Sequence, residues 1–499
     1  MIILLARTAC KALLFPSSSD KRLDFRTPFP YFRGLIQPVS GKKGTIAQLF
    51  ARAASCDVTP REPEVRLAGY ASRRAPASRI LDPIEISALL LECAETRCLI
   101  FSFDLMIVGS ELAGLIRSKL LPRGFEAADI LLLASHTHTA PATDRACAKL
   151  GLPDPQLVEA LAEAAESLVR RMDGEKPSKI DLSLVQGRLH HSINRRRFWP
   201  FPTLGRTYGF RLTSFSMAPN PSGPVDERAT VALLRRTKDD EAVAVLWHYT
   251  CHPTAVVPDN VVSADYPGAV RQALRERFGD IPCIFVQGFC GDIRPDMAST
   301  LRPGWRERLR QLARRLISGP GFAACIAEDW TRWSQSMAAG VSDILTAGPS
   351  TTLPTDSLQC GSASLALDAF FCGSKPDKDL TVQIIRIGQQ LEIVALSAEV
   401  TVPWQGILDA SLPPADGVIR LHAGYAGAMF GYLPTAAQVA EGGYEVVGFQ
   451  RLFGLSGHFE AYRIEPAVIG CVRRAFDDLE SSVKREQQIA PAAESQENR

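Results

Sequence analysis

The sequence lacks most of the features that would take it out of the ordinary globular class. No apolar run approaches the roughly 18 residues that a membrane-spanning helix needs, so no transmembrane segment is expected. The 12 cysteines are scattered, with no CxxC pair, which argues against both a cysteine-type zinc site and a disulfide-dense framework. Isolated thiols fit a reducing compartment. Ile2 to Ala6 is too short for a secretory core, and Arg7 and Lys11 interrupt it. A cytoplasmic setting is therefore slightly favoured. There is little excess charge of either sign: the net value of +2 argues against nucleic acid, and against an acidic membrane surface, as the main partner. No internal repeat is present.

What is present is material for a large core, 46% hydrophobic against 22% charged residues. Ser17 to Lys43 mixes basic, aromatic and proline residues without period, and residues 1–50 read as a loosely structured extension. The regular pattern then runs over residues 51–483, and the polar stretch 484–499 is expected to be disordered. Ile86 to Leu91, Cys98 to Phe103, Ile130 to Ser135, Ala242 to Trp247, Cys283 to Gln287, Thr381 to Ile387 and Leu391 to Leu396 read as strands. Ser110 to Leu121 and Leu157 to Met172 carry apolar residues at helical spacing. Strand-like and helix-like segments taking turns indicate an α/β fold with mixed or largely parallel sheets flanked by helices. Trp305 to Ile344 reads as helical and Arg-rich, an insertion or a cap.

The chemistry collects just past the strands. The Ile130 strand ends in SHTHTAP, and if it persists, His136 and His138 share a face because side chains i and i+2 do. His252 follows the Ala242 strand, Asp292 the Cys283 strand and Glu399 the Leu391 strand. Open α/β folds gather ligands at the carboxyl ends of their strands. Each of these residues alone is open to a plain structural reading, a hydrogen bond to loop backbone. As a set, imidazoles with one carboxylate suit zinc, and one shared cation offsets the desolvation of every member.

Several ordered motifs carry a more specific resemblance: SHTHTAP (135–141), INRR (193–196), CHPT (251–254), SADYPG (263–268), QGFCGDIRP (287–295) and SAEV (397–400), preceded by DVTP (57–60) and LAGYASR (67–73). Together they resemble the neutral/alkaline non-lysosomal ceramidase family in its catalytic domain. The resemblance implies a Zn2+ ion held by His136, His252, Glu399 and Tyr432. It places His138, Arg195 and Tyr444 on the substrate or transition-state side, as proton carrier and oxyanion donors. Asp265 and Asp292 are expected to orient the ligating imidazoles through their second nitrogens. The implied activity is zinc-dependent hydrolysis of a linear amide bond, releasing a fatty acid and an amine from an N-acyl sphingolipid.

Two departures widen the choice of substrate. Arg294 stands in GDIRP where the family has a small serine, so a substrate-pocket cation replaces a hydroxyl. No stretch matches the C-terminal sandwich domain of the lipid-cleaving members. The alternatives are a zinc hydrolase of another acyl amide or ester, or a catalytically silent metal- or lipid-binding relative. The expected partner is a small-molecule or lipid substrate, and the oligomeric state is unknown from sequence.

Overall fold

The computed structural model describes residues 47–493, apart from 63, 206–208, 258–259 and 349. Contacts divide the chain into Met1–Ile46 and Ala47–Arg499. The first unit, with nearly all of the expected N-terminal extension, lies outside the described residues. Regular structure begins at the strand Phe50–Asp57.

The main element is a nine-stranded sheet. Its path runs from Cys283–Gln287 through Ala242–Tyr249, Arg228–Arg236, Ser178–Arg188, Phe50–Asp57, Glu85–Cys93 and Thr96–Phe103 to Ile130–Ala134, and Thr351–Leu353 pairs with the Ser178 strand. Only the two ends of this path are parallel: Ala242–Tyr249 beside Cys283–Gln287, and Thr96–Phe103 beside Ile130–Ala134. All other pairings along it are antiparallel. Of the two expected alternatives, mixed or largely parallel, the sheet is mixed, because hairpins such as Glu85–Cys93 with Thr96–Phe103 close after too few residues to hold a crossover helix.

A four-stranded sheet, ordered Leu358–Ala366, Asp379–Ile387, Leu391–Leu396, Ile419–Ala423, packs against it. Alternate side chains of both sheets fill the space between them: Leu89, Leu91, Leu131, Leu133, Leu182 and Leu246 from one, Ile385, Ile387, Ile393 and Leu421 from the other. The period of two explains why strands buried on both faces read as continuous apolar runs. On the outer face, helix Pro155–Asp173 buries Val158, Leu161, Ala162, Ala165, Leu168, Val169 and Met172, spaced by three and four. The Asp154 carboxylate accepts a hydrogen bond from Gln156 N and Pro155 opens the first turn, both standard start signals.

Trp305–Ser318 and Ala327–Ala347 are helices, as that stretch implied. The last helix runs Ala461–Ala493 into the segment expected to be disordered from 484, and residues 494–499 lie outside the described ones. Among the described residues no helix is long and apolar enough to cross a membrane. Their 11 cysteines are free thiols, and the fold adds no support to a cytoplasmic setting.

Candidate metal and catalytic site

The Ile130 strand stops at Ala134, and His136 leaves it in a left-handed turn with φ 68°. The two histidines therefore do not share a face by strand alternation, contrary to that expectation. Their rings converge through the turn instead, with Nε2 atoms 3.4 Å apart. His252 brings its Nε2 to 3.1 Å from that of His136. His136, His138 and His252 form a cluster able to hold a metal ion.

The tautomers of two rings follow from their partners. The Met106 carbonyl lies 2.7 Å from His136 Nδ1, and the Cys290 carbonyl 2.8 Å from His252 Nδ1. A carbonyl only accepts, so each Nδ1 carries a proton, and in the neutral ring each Nε2 presents a lone pair. Two lone pairs 3.1 Å apart repel unless something positive stands between them. The Glu399 Oε2 atom, 3.3 Å from His136 Nε2 and 3.6 Å from His252 Nε2, points to the same place and has no hydrogen-bond partner among the described residues. Imidazole lone pairs with an orphaned buried carboxylate oxygen are the donor set that a divalent cation of the zinc type accepts.

Glu399–Val400 and Tyr432–Leu433 form a two-stranded parallel ladder in which Glu399 pairs with Tyr432. The Tyr432 hydroxyl hydrogen-bonds the Glu399 carboxylate and accepts from Arg195 Nη2 at 2.9 Å. Arg195 is buried, and its Nε donates to Glu445 Oε1 at 2.9 Å, while Arg196 Nη1 donates to Glu445 Oε2 at 2.7 Å. Burial alone would raise the Glu445 carboxyl, but Arg195 and Arg196 hold it below the usual carboxylate range. Burial pushes the Tyr432 phenol well up despite Arg195 beside it. The half-buried Tyr444 ring lies 5.6 Å from that of Tyr432, with the Arg195 guanidinium 5.7 Å from its centroid. Burial, with His136 and the cations of Arg73, Arg195 and Arg294 around it, drives His138 well below its ordinary value and keeps it neutral at pH 7.

The two aspartates do not touch the imidazoles, which corrects their expected role. Asp265 instead starts the helix Tyr266–Phe278, accepting from Ala255 N, Val256 N and Tyr266 N. Asp292 accepts from Val402 N at 2.7 Å, Asn194 Nδ2 at 3.2 Å and Gln438 Nε2 at 3.1 Å, and its carbonyl takes the Arg195 N–H at 2.8 Å. It ties the Glu399 and Arg195 segments together rather than a ring nitrogen. Backbone carbonyls won the imidazoles because each ligand loop already runs past a neighbouring strand end.

Arg294 pairs with Ile193 in the strand Ile293–Pro295 and lays its guanidinium 4.6 Å from the Phe322 ring centroid. Among the described residues it has no carboxylate partner. Sequence reasoning missed Glu445, which anchors both arginines, and Tyr425, whose ring stacks on His136 at 4.1 Å and whose hydroxyl meets Cys290 Sγ at 3.0 Å. Glu445 carried one usable signal, an acid directly after Gly442, Gly443 and Tyr444. Two glycines serve close approach. A Cβ on Gly291 would meet the Glu399 and Val400 carbonyls at 2.8 and 2.9 Å, and one on Gly69 (φ 117°) would strike the His138 ring at 2.7 Å.

No family model matches the sequence, and no curated protein matches it significantly. Solved structures do. The chain aligns with the neutral ceramidase from Pseudomonas aeruginosa at TM-score 0.65 and 16% identity, over 86% of this chain and 74% of that one. It aligns with a ceramidase complexed with C2 at TM-score 0.64 and 15% identity, over 88% and 76%. The fold is that of these ceramidases.

Proposed function

Starting from a ceramidase fold whose strand ends converge on three imidazoles and a carboxylate, we propose that this chain is a zinc-dependent hydrolase of the N-acyl amide bond of a lipid. The observation that carries the reading is the meeting of His136 Nε2, His252 Nε2 and Glu399 Oε2, three buried atoms of the kinds that ligate zinc. We assign His136, His252, Glu399 and Tyr432 to the ion. A bound zinc ion lowers the pKa of a water to about 7 and polarises a carbonyl.

The chain's own groups supply the rest. Arg195, fixed by Glu445 and aimed at Tyr432, is a rigid cationic donor for oxygen charge developing on the amide. Tyr444 stands beside it as a second donor. Neutral His138 takes a proton and passes it to the leaving nitrogen. Such donors contribute about 3 kcal/mol each where well placed.

Arg294 favours a second reading, in which the amide or ester cleaved carries an acidic group. A guanidinium on an aromatic ring, with no carboxylate beside it among the described residues, suits a carboxylate or phosphate of the substrate.

The test is metal content together with hydrolysis of a fluorescent N-acyl sphingosine and of short acyl amides. The wild type is expected to hold about one zinc per chain, to lose it in His136→Ala, and to keep it without activity in His138→Ala. Metal without hydrolysis of any amide or ester would leave the silent relative as the answer, and absence of metal would remove the site.

A further inference from the structure

The helix Trp305–Ser318 has no buried residue. Trp305, Leu309, Leu312 and Leu316 are 68%, 57%, 53% and 66% exposed. Their spacing of four, three and four places them on one stripe of the helix. A helix of 14 residues is marginal in water without its apolar face covered. Next to it Phe201, Leu204 and Leu212 are exposed as well. The helix packs against the strand Thr203–Gly205, and Arg315 lies 5.7 Å from the ring centroid of Trp199, itself 5.1 Å from that of Phe201. Helix and strand thus lie side by side, and both carry exposed apolar residues.

Charge chooses the occupant. The helix carries Arg306, Arg308, Arg310, Arg314 and Arg315 against Glu307 alone, a local concentration that the +2 of the whole chain conceals. Two copies joined along the stripe would bring the flanking Arg306, Arg308 and Arg315 of both together, with Glu307 on the far side of each helix, and the repulsion opposes that pairing. Anionic headgroups complement it, because the apolar side chains enter the acyl boundary while arginine stems reach back to phosphate. Trp305 at one end of the stripe is the residue type that settles at such an interface. Shortly after the helix the chain delivers Phe322 to Arg294, at the rim of the candidate site.

We propose that residues 305–318, with Phe201, Leu204 and Leu212, dock this protein on an anionic lipid bilayer. The proposal goes beyond the hydrolase reading and stands without it.

The experiment is sedimentation of the full chain with vesicles of phosphatidylcholine alone and of phosphatidylcholine with phosphatidylglycerol in equal parts. It compares wild type with Leu309→Gln/Leu312→Gln/Leu316→Gln and with Arg308→Gln/Arg310→Gln/Arg314→Gln. The wild type is expected to sediment with anionic vesicles at low salt, and both variants to bind about tenfold less with unchanged circular dichroism. Binding by the leucine variant equal to wild type, no binding to anionic vesicles, or equal binding to both vesicle types would overturn the proposal. So would a concentration-dependent dimer in sedimentation velocity that the leucine variant abolishes, since the stripe would then join copies of the chain.

Discussion

Glu399 and Tyr432 are direct partners on one rung of a two-residue parallel ladder, and the tyrosine hydroxyl passes a hydrogen bond from Arg195 on to the glutamate carboxylate. Backbone pairing, rather than side-chain choice alone, therefore sets the spacing of two donors. Glu399→Gln keeps the shape and removes the charge that faces two imidazole lone pairs. Metal content is expected to fall at least tenfold, read by atomic absorption. Tyr432→Phe is expected to lower kcat by about 10- to 100-fold with the protein fully folded.

Glu445→Gln strips one charge from a buried three-residue network and leaves Arg195 and Arg196 short of it. A loss of about 3 kcal/mol is expected from denaturant unfolding. The pH dependence has a definite sign. Because the folded-state pKa is depressed, Glu445 contributes its stability in full above the ordinary carboxylate range and loses it as pH falls from that range through the lower folded-state value. The variant should thus show a shallower acid limb of stability than the wild type.

Asp82 predicts the opposite slope. Burial raises it to about 6, although Ser263 Oγ and Ala264 N donate to it. Asp104 adds to the rise and Arg271 opposes it. With the folded pKa above the unfolded one, the folded protein holds an extra proton between about pH 4 and 6, and stability falls as pH rises through that window. Asp82→Asn should flatten the slope there and gain on the order of 1–2 kcal/mol relative to wild type at pH 7, measured by urea unfolding at a series of pH values.

Gly69→Ala tests how tightly His138 must be held. The new methyl meets the imidazole and the backbone sits at φ 117°, so the ring has to move. Activity is expected to drop at least tenfold with zinc retained, because the proposed ligands His136 and His252 lie on other segments than Gly69. Loss of both together would show that His138 is itself a ligand.

Arg294→Ser decides between the two substrate readings. If the cation narrows the pocket against neutral lipids, turnover of an N-acyl sphingosine should rise several-fold while that of acyl substrates bearing a carboxylate falls by about tenfold or more. No gain on the neutral lipid would leave Arg294 without a role in excluding it.

Much of this was legible in the residues. The runs at Ile130, Ala242, Cys283 and Leu391 are strands because both their faces are buried, and the histidines and Glu399 stand just past their ends. Two things were not legible. Strand order is decided by pairing across the sheet, which no local period records. The partners of the ring nitrogens are the carbonyls of Met106 and Cys290, and a carbonyl is common to every residue type. The left-handed backbone at His136 was hidden for a similar reason: it belongs to a turn between two buried strand ends, where a β-carbon costs energy and the imidazole is kept all the same.

Glu399 meets His136 directly and is joined through Tyr432 and Arg195 to Glu445, and the contacts His136–Glu399, Arg195–Tyr432 and Arg195–Glu445 each span more than 200 residues. Closing such long loops costs entropy that the contacts of the finished site have to repay. A cation that binds only the finished arrangement acts on the whole folding equilibrium. An ion held as proposed works as a clasp on the entire chain as well as a reagent, and chelation should loosen the protein throughout rather than merely silence it.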